Sequence, residues 1–224
     1  MYQQVEFPFL VGHLSKGSAD IKVTLSQQRD RMEVAPVCLL LSCLRVSPDS
    51  SQLFRYSSLS LTCADPLNST VWRVKRKTSD GGLKPCSSGW GLASAGSDCT
   101  IGNAYPSDSG VYWCESRDGE RRSNSVNITV TDGSVILESP VFPVMEGSDV
   151  TLRCKTRTTS SSLTADFYKD GFLIGSGSTG EMTIHNVSKS DEGFYKCSIS
   201  DSGESPESWL AVRGASFERS VRDV

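Results

Sequence analysis

Asp108-Ser109-Gly110-Val111-Tyr112-Trp113-Cys114 returns 83 residues later as Asp191-Glu192-Gly193-Phe194-Tyr195-Lys196-Cys197. Both stretches read Asp-x-Gly-x-Tyr-x-Cys. The period is a whole small domain, far longer than a solenoid unit. Upstream of each copy lies a cysteine on an alternating strand. In Ser58-Leu59-Ser60-Leu61-Thr62-Cys63, Leu59, Leu61 and Cys63 share one face. In Asp149-Val150-Thr151-Leu152-Arg153-Cys154, Val150, Leu152 and Cys154 do the same. Alternation of this kind marks a half-buried strand. The two cysteine pairs are 51 and 43 residues apart.

Cysteine on strand B, cysteine on strand F and a tyrosine two residues before the second are the signature of the immunoglobulin fold. The expected fold class is therefore all-β: two tandem immunoglobulin-like β-sandwiches of C2/I type with intradomain disulfides. The Asp and Gly shape the turn into strand F. The hydroxyls of Tyr112 and Tyr195 tie that corner to backbone upstream, and each disulfide pins two sheets together. Trp72 follows Cys63 closely enough to pack on its bridge. In the second repeat Phe167 is expected at the matching place, and its smaller ring leaves that core looser. Short strands are expected at Ser125–Thr131, at Phe172-Leu173-Ile174, at Met182-Thr183-Ile184 and at Trp209-Leu210-Ala211-Val212. Helical periodicity is absent.

The fold pairs Cys63 with Cys114 and Cys154 with Cys197. Cys86 and Cys99 are left to pair with each other, closing a Gly/Ser-rich excursion that contains Trp90. A loop of that size gives about 3 kcal/mol in the chain-entropy account. The remaining two cysteines, Cys38 and Cys43, belong to an earlier segment. Behind the charged Arg29-Asp30-Arg31-Met32-Glu33 runs the 11-residue apolar stretch Val34–Leu44. It is too short for a bilayer but suits a secretory leader. Residues 1–31 are then an N-terminal extension, 32–46 a signal peptide cut somewhere in 42–50, and Cys38 and Cys43 leave with it. The alternative is a buried strand of a folded domain. Domain 1 is expected over 47–131, domain 2 over 134–213, and a flexible tail over 214–224. The linker Thr131-Asp132-Gly133-Ser134 is short enough to hold the domains at a partly fixed angle.

The chain has 224 residues, a net charge of −3 and 37% apolar residues. The negative sign disfavours nucleic acid as a partner. No run of 18 apolar residues provides a transmembrane span. Gly175-Ser176-Gly177-Ser178-Thr179-Gly180 matches G-x-G-x-x-G, but the alternating Glu181–His185 follows it where a dinucleotide site needs a helix. The two histidines, His13 and His185, have no motif partner. With the cysteines committed to disulfides, no catalytic, cofactor or metal site is expected, and the protein is not read as an enzyme. Sequons at Asn68, Asn127 and Asn186 fit passage through the secretory pathway. Asn127, between inward Val126 and Ile128, is expected to face solvent.

Beyond the general fold, Phe167–Gly171, Ser188–Cys197 and Gly203–Arg213 resemble the Fc receptor and Fc receptor-like family. So do Val144-Met145-Glu146-Gly147, Val46-Ser47-Pro48 and Tyr105-Pro106-Ser107-Asp108. The resemblance covers about residues 46–213. It implies an immune receptor ectodomain, at the cell surface or secreted, that binds a protein ligand such as immunoglobulin Fc non-catalytically. The alternatives are a soluble decoy form and an adhesion protein. By resemblance the ligand loops are Thr158–Thr164, with Ser161 and Leu163; Gly175–Gly180, with Ser176 and Ser178; and Ser200–Ser205, with Asp201 and Glu204. Family members clamp an Fc proline between two tryptophans of domain 2. Here Ser134 and Val135 occupy the first position, and no tryptophan lies between residues 114 and 208.

Overall fold

A computed structural model describes residues 43–64, 71–79, 82–94, 97–119, 122–158 and 164–214. The expectations for residues 1–42, for Asn68, for Ser161 and Leu163 and for most of the tail lie outside those residues. The first sandwich contains β1 (Cys43–Ser47), β2 (Gln52–Phe54), β3 (Leu59–Ala64), β4 (Trp72–Thr78), β5 (Lys84–Pro85), β6 (Leu92–Ala93), β7 (Asp98–Ile101), β8 (Gly110–Ser116) and β9 (Arg122–Thr131). One sheet runs β1-β3-β7-β6 and the other β2-β9-β8-β4-β5. The second sandwich contains β10 (Val135–Glu138), β11 (Val144–Met145), β12 (Val150–Thr156), β13 (Ala165–Lys169), β14 (Phe172–Gly177), β15 (Glu181–Ile184), β16 (Gly193–Ile199), β17 (Gly203–Glu204), β18 (Ser208–Leu210) and β19 (Val212–Arg213). Its sheets run β10-β12-β15 and β14-β13-β16-β17, with β18 also on β16. In each domain a short strand pairs in parallel with the last strand, β2 with β9 and β11 with β19. The expected strand Trp209–Val212 is broken at Ala211, where the chain leaves β16 and turns to β11.

The Asp-x-Gly-x-Tyr-x-Cys motif explains itself in the geometry. Asp108 Oδ2 accepts the Tyr105 N–H at 2.9 Å, and Asp191 Oδ2 accepts the Ser188 N–H at 2.8 Å. Each aspartate thus closes a short 3-10 turn before strand F. The Tyr195 hydroxyl then donates to the Asp191 carbonyl at 2.7 Å, and Tyr112 donates likewise to Asp108. Gly110 is needed because a Cβ there would strike the Lys77 carbonyl. Burial pushes the Tyr195 phenol up from 10.0 to about 12, with Asp191 and Asp170 adding to it, and burial likewise raises Tyr112. A folded-state value above the unfolded one stabilises fully below pH 10 and is lost as pH rises towards 12. Stability is therefore expected to fall with pH across that window, and to fall less steeply in Tyr195→Phe, which has no phenol to ionise there. Equal slopes in the two chains, measured by urea unfolding at a series of pH values, would contradict it.

Disulfides join Cys63 to Cys114, Cys154 to Cys197 and Cys86 to Cys99. The third also crosses between sheets, from the end of β5 to β7. Gly91 lies against this bridge at φ +58°, and a Cβ there would come within 2.7 Å of Cys99 Sγ. Each bridge of the first two types sits in its own apolar core, with Leu59, Leu61 and Val126 around one and Val150, Leu152 and Leu210 around the other.

Three expectations are corrected. Domain 1 starts at least four residues before 47: β1 pairs with β3 from Cys43↔Ala64 onward, and Leu44 is buried. The end of the apolar run is thus strand, and its inward-outward alternation over Leu44, Arg45, Val46 and Ser47 is hidden behind the leucines that precede it. Phe167 does not occupy the place of Trp72. Trp72 stands opposite Ser116, two residues past Cys114, whereas Phe167 stands opposite Cys197 itself, where domain 1 has Val74. The register equivalent of Trp72 is Ala165. Trp90, in a Gly/Ser-rich excursion expected to have little but its disulfide to hold it, is a core residue. Its ring meets Tyr112 edge-on at 5.7 Å, and the Arg76 guanidinium lies 4.4 Å from its centroid on the way to Asp108.

Candidate ligand-binding face

Strand β13 is the centre of the site. Ala165, its first residue, pairs with Gly177 at the end of β14 and with Ile199 at the end of β16. The turn after β14 and the turn after β16 must therefore leave the sheet on either side of Ala165. Val135 at the start of β10 pairs with Thr156 at the end of β12, which brings the interdomain linker to the same end. Register alone thus brings the turns after β14 and β16 together and sets them at the linker end of domain 2.

Within that cluster the residues differ in kind. Ser178 and Asp201 are exposed turn residues, Asp201 with a positive φ of 65°. Ser176 is not in a loop: β14 continues to Gly177, and the Ser176 hydroxyl donates to Asp166 Oδ1 at 2.5 Å. Glu204 is likewise on a strand, β17, and takes the Lys196 ammonium at 2.5 Å. That carboxylate raises the Lys196 pKa. The two misplacements share a cause: glycines read as turn residues, Gly175, Gly177 and Gly203, are accommodated in short edge pairings. Asp166, Asp201, Glu204 and Glu207 lie on or beside these segments, and Lys196 pairs with Glu204.

Domain 1 locks this end from below. The Arg157 guanidinium donates to the carbonyls of Arg55, Thr131 and Gly133 at 3.4, 3.3 and 3.3 Å, and lies 5.1 Å from the Phe54 ring centroid. Gln52, fully buried, is the hub. Its Nε2 donates to the Pro206 carbonyl and to Ser208 Oγ, both at 2.7 Å, while its Oε1 accepts the Leu137 N–H at 2.9 Å. Ser51 Oγ adds contacts to Ser139 and Ser208 at 3.0 and 2.8 Å. Pro206 follows directly on the β16–β17 turn region, so this loop and the interdomain joint share one framework. Sequence reasoning missed Gln52, because Ser50-Ser51-Gln52 looks like any polar strand entry.

Asn127 on β9 and Asn186 after β15 are exposed, the latter with φ 51°. His185 lies 2.9 Å from Asp149 and is solvent-exposed. Asp149 is held below the usual carboxylate value by the Asn186 N–H and then by His185. Among the described residues no group of three His, Cys, Asp or Glu is placed to hold a metal, and no helix is long and apolar enough to cross a membrane.

Two disulfide-pinned sandwiches, the tyrosine corners and the parallel last-strand pairings define a tandem immunoglobulin-superfamily protein. An immunoglobulin-domain family profile matches residues 128–201. Human Fc receptor-like protein 2 is 29% identical over 159 residues, covering 66% of this chain and 30% of that protein. Human Fc receptor-like A is 35% identical over 77 residues, covering 34% of this chain and 21% of that protein. The solved second Ig-C2 domain of human Fc receptor-like A is 32% identical over 36% of this chain and 98% of its own, with a TM-score of 0.31. Within the superfamily the chain is similar to Fc receptor-like proteins over these stretches. It spans less than a third of the length of the two curated relatives.

Proposed function

We propose that the chain is the recognition part of an immune receptor, at the cell surface or in secreted form, and that it binds a protein ligand without catalysis. The ligand meets the hinge-end face of domain 2, where the turns after β14 and β16 converge on the start of β13. That convergence, fixed by Ala165 pairing on both sides, is the observation that carries the proposal. Rigid sandwiches that present loops in this way are a common basis of recognition. Three disulfides fit an oxidising, extracellular setting. Exposed Asn127 and Asn186 are proposed as glycan acceptors. The carboxylates of Asp166, Asp201 and Glu207, on or beside these segments, favour a ligand with a basic contact surface.

The family resemblance makes immunoglobulin Fc the first ligand to test. The two-tryptophan clamp has no counterpart, so contact rests on the loops and on these carboxylates. Surface plasmon resonance of the full chain over immobilised immunoglobulin is expected to show saturable binding, weakening with salt as contacts through carboxylates require. No response at roughly tens of micromolar, an affinity of about 6 kcal/mol, overturns the Fc assignment.

A further inference from the structure

Strand β4 opens Trp72-Arg73-Val74-Lys75-Arg76-Lys77, a run dense in cations. Strand alternation divides them. Arg76 turns inward, over the Trp90 ring and onto Asp108. Arg73, Lys75 and Lys77 share the outer face of the β2-β9-β8-β4-β5 sheet, each roughly 7 Å from the next along the strand. Two more cations join them. Arg117 follows β8, its N–H donating to the Val71 carbonyl at 3.0 Å, and Arg122 on β9 stands opposite Glu115.

Much of this charge is uncommitted. Among the described residues, Glu115 is the one carboxylate on the outer face of these strands. It accepts the Lys75 ammonium and also the Trp113 Nε1–H, the latter at 3.1 Å. The Arg122 guanidinium lies 3.9 Å from the Trp113 ring centroid. Trp113 is thereby buried although it points away from the core, between inward Tyr112 and Cys114. Asp118, in the turn past Arg117, takes the Ser116 hydroxyl. Arg73, Lys77 and Arg117 are exposed and make no ion pair among the described residues. Arg73, Lys75 and Arg117 line an open groove of about 220 Å³ together with Glu115, Leu83 and Pro85.

We propose that this face of domain 1 binds a sulfated polysaccharide chain. Charge complementarity calls for a polyanion. The cations extend along β4 over about 13 Å, which fits charges repeated along a chain better than one compact anion. Three of the five are arginines, whose planar guanidinium forks onto two oxygens of a sulfate as it does on phosphate. Leu83 and Pro85 offer an apolar surface to the face of a sugar ring. The choice of polysaccharide over nucleic acid rests on the extracellular setting proposed above. The net charge of −3 does not oppose it, because residues 132–213 carry 12 acidic and 7 basic side chains and the excess of acid lies there. Asn127, a proposed glycan acceptor, shares the outer face but stands five residues along β9 from Arg122, about 16 Å away.

Surface plasmon resonance of the full chain over immobilised heparin, at an ionic strength of about 0.15 M, tests this. Saturable binding is expected, with the logarithm of affinity falling linearly with the logarithm of salt concentration. Arg73→Glu with Arg117→Glu is expected to weaken binding at least about tenfold while leaving the unfolding curve unchanged, since neither side chain has an ion pair to lose. Arg45→Glu with Arg213→Glu makes the same change of charge at exposed positions on β1 and β19, away from the face, and is expected to leave binding within about twofold of the wild type. No response up to about 100 µM chain overturns the inference. So does an equal loss in both variants, which makes the effect one of net charge. Polyglutamate of matched length that displaces the chain as well as free heparin does assigns the face to an acidic protein segment and overturns it too. Immunoglobulin binding, read on the same Arg73→Glu, Arg117→Glu chain, is expected to be unchanged, so failure of either reading is seen separately from the other.

Discussion

Replacing Cys154 and Cys197 together by alanine is expected to lower the stability of domain 2 by about 4 kcal/mol, the chain-entropy value for a loop of 43 residues. A domain of this size has a total stability of about 5–10 kcal/mol, so the variant sits close to the threshold of folding. Domain 1 is built differently. It keeps two bridges between its sheets, and its core holds Trp72, Trp90 and Tyr112, whereas the rings of the domain 2 core are Phe167 and Tyr195. Removing Cys86 and Cys99 costs about 3 kcal/mol in the same account, and Cys63–Cys114 still pins the sandwich. Urea unfolding followed by limited proteolysis separates the cases. The Cys154/Cys197 variant is expected to be cut first within residues 135–213, with domain 1 intact. First cleavage within domain 1 contradicts the unequal stapling of the two cores.

The second large effect is at the joint. Gln52→Ala removes one donor group and one acceptor from a buried site, leaves the Leu137 N–H without its partner, and takes one of two partners each from the Pro206 carbonyl and Ser208 Oγ. Buried polar groups left unsatisfied cost about 1–3 kcal/mol each, less where water enters the gap. A loss of about 3 kcal/mol is expected, and most of it is coupling between domains. Differential scanning calorimetry is expected to show one transition for the wild-type chain and two for the variant. Gln52→Glu keeps the acceptor for Leu137 but turns the donor towards Pro206 into a second acceptor, so it is expected to uncouple the domains as well. One unchanged transition in both variants means that the joint does not depend on Gln52.

The sandwiches were legible because their determinants are local. A seven-residue motif carries the aspartate that closes the turn, the glycine that avoids Lys77 and the tyrosine that ties the corner, and alternation exposes the partner strand. What escaped depends on partners distant in sequence. Trp90 owes its burial to Tyr112 and Arg76, and Gln52 owes its role to residues 85 to 156 positions away. The register that puts Ala165 in the place of Trp72 depends on two more residues between Cys154 and β13 than between Cys63 and β4. At the candidate site, the location of the loops followed from strand order. Their chemistry did not, because only the folded chain commits Ser176 to Asp166 and Glu204 to Lys196.

The central claim is that ligand binds at the hinge-end face of domain 2. Ser178→Arg with Asp201→Arg alters two exposed turn residues that converge there and support nothing in the core. Surface plasmon resonance against immunoglobulin, with the wild-type and doubly substituted full chains side by side, tests it directly. The predicted result is binding by the wild type and at least a tenfold loss, about 1.4 kcal/mol, in the variant at unchanged stability. Equal binding by the two chains would place the contact elsewhere and contradict the claim.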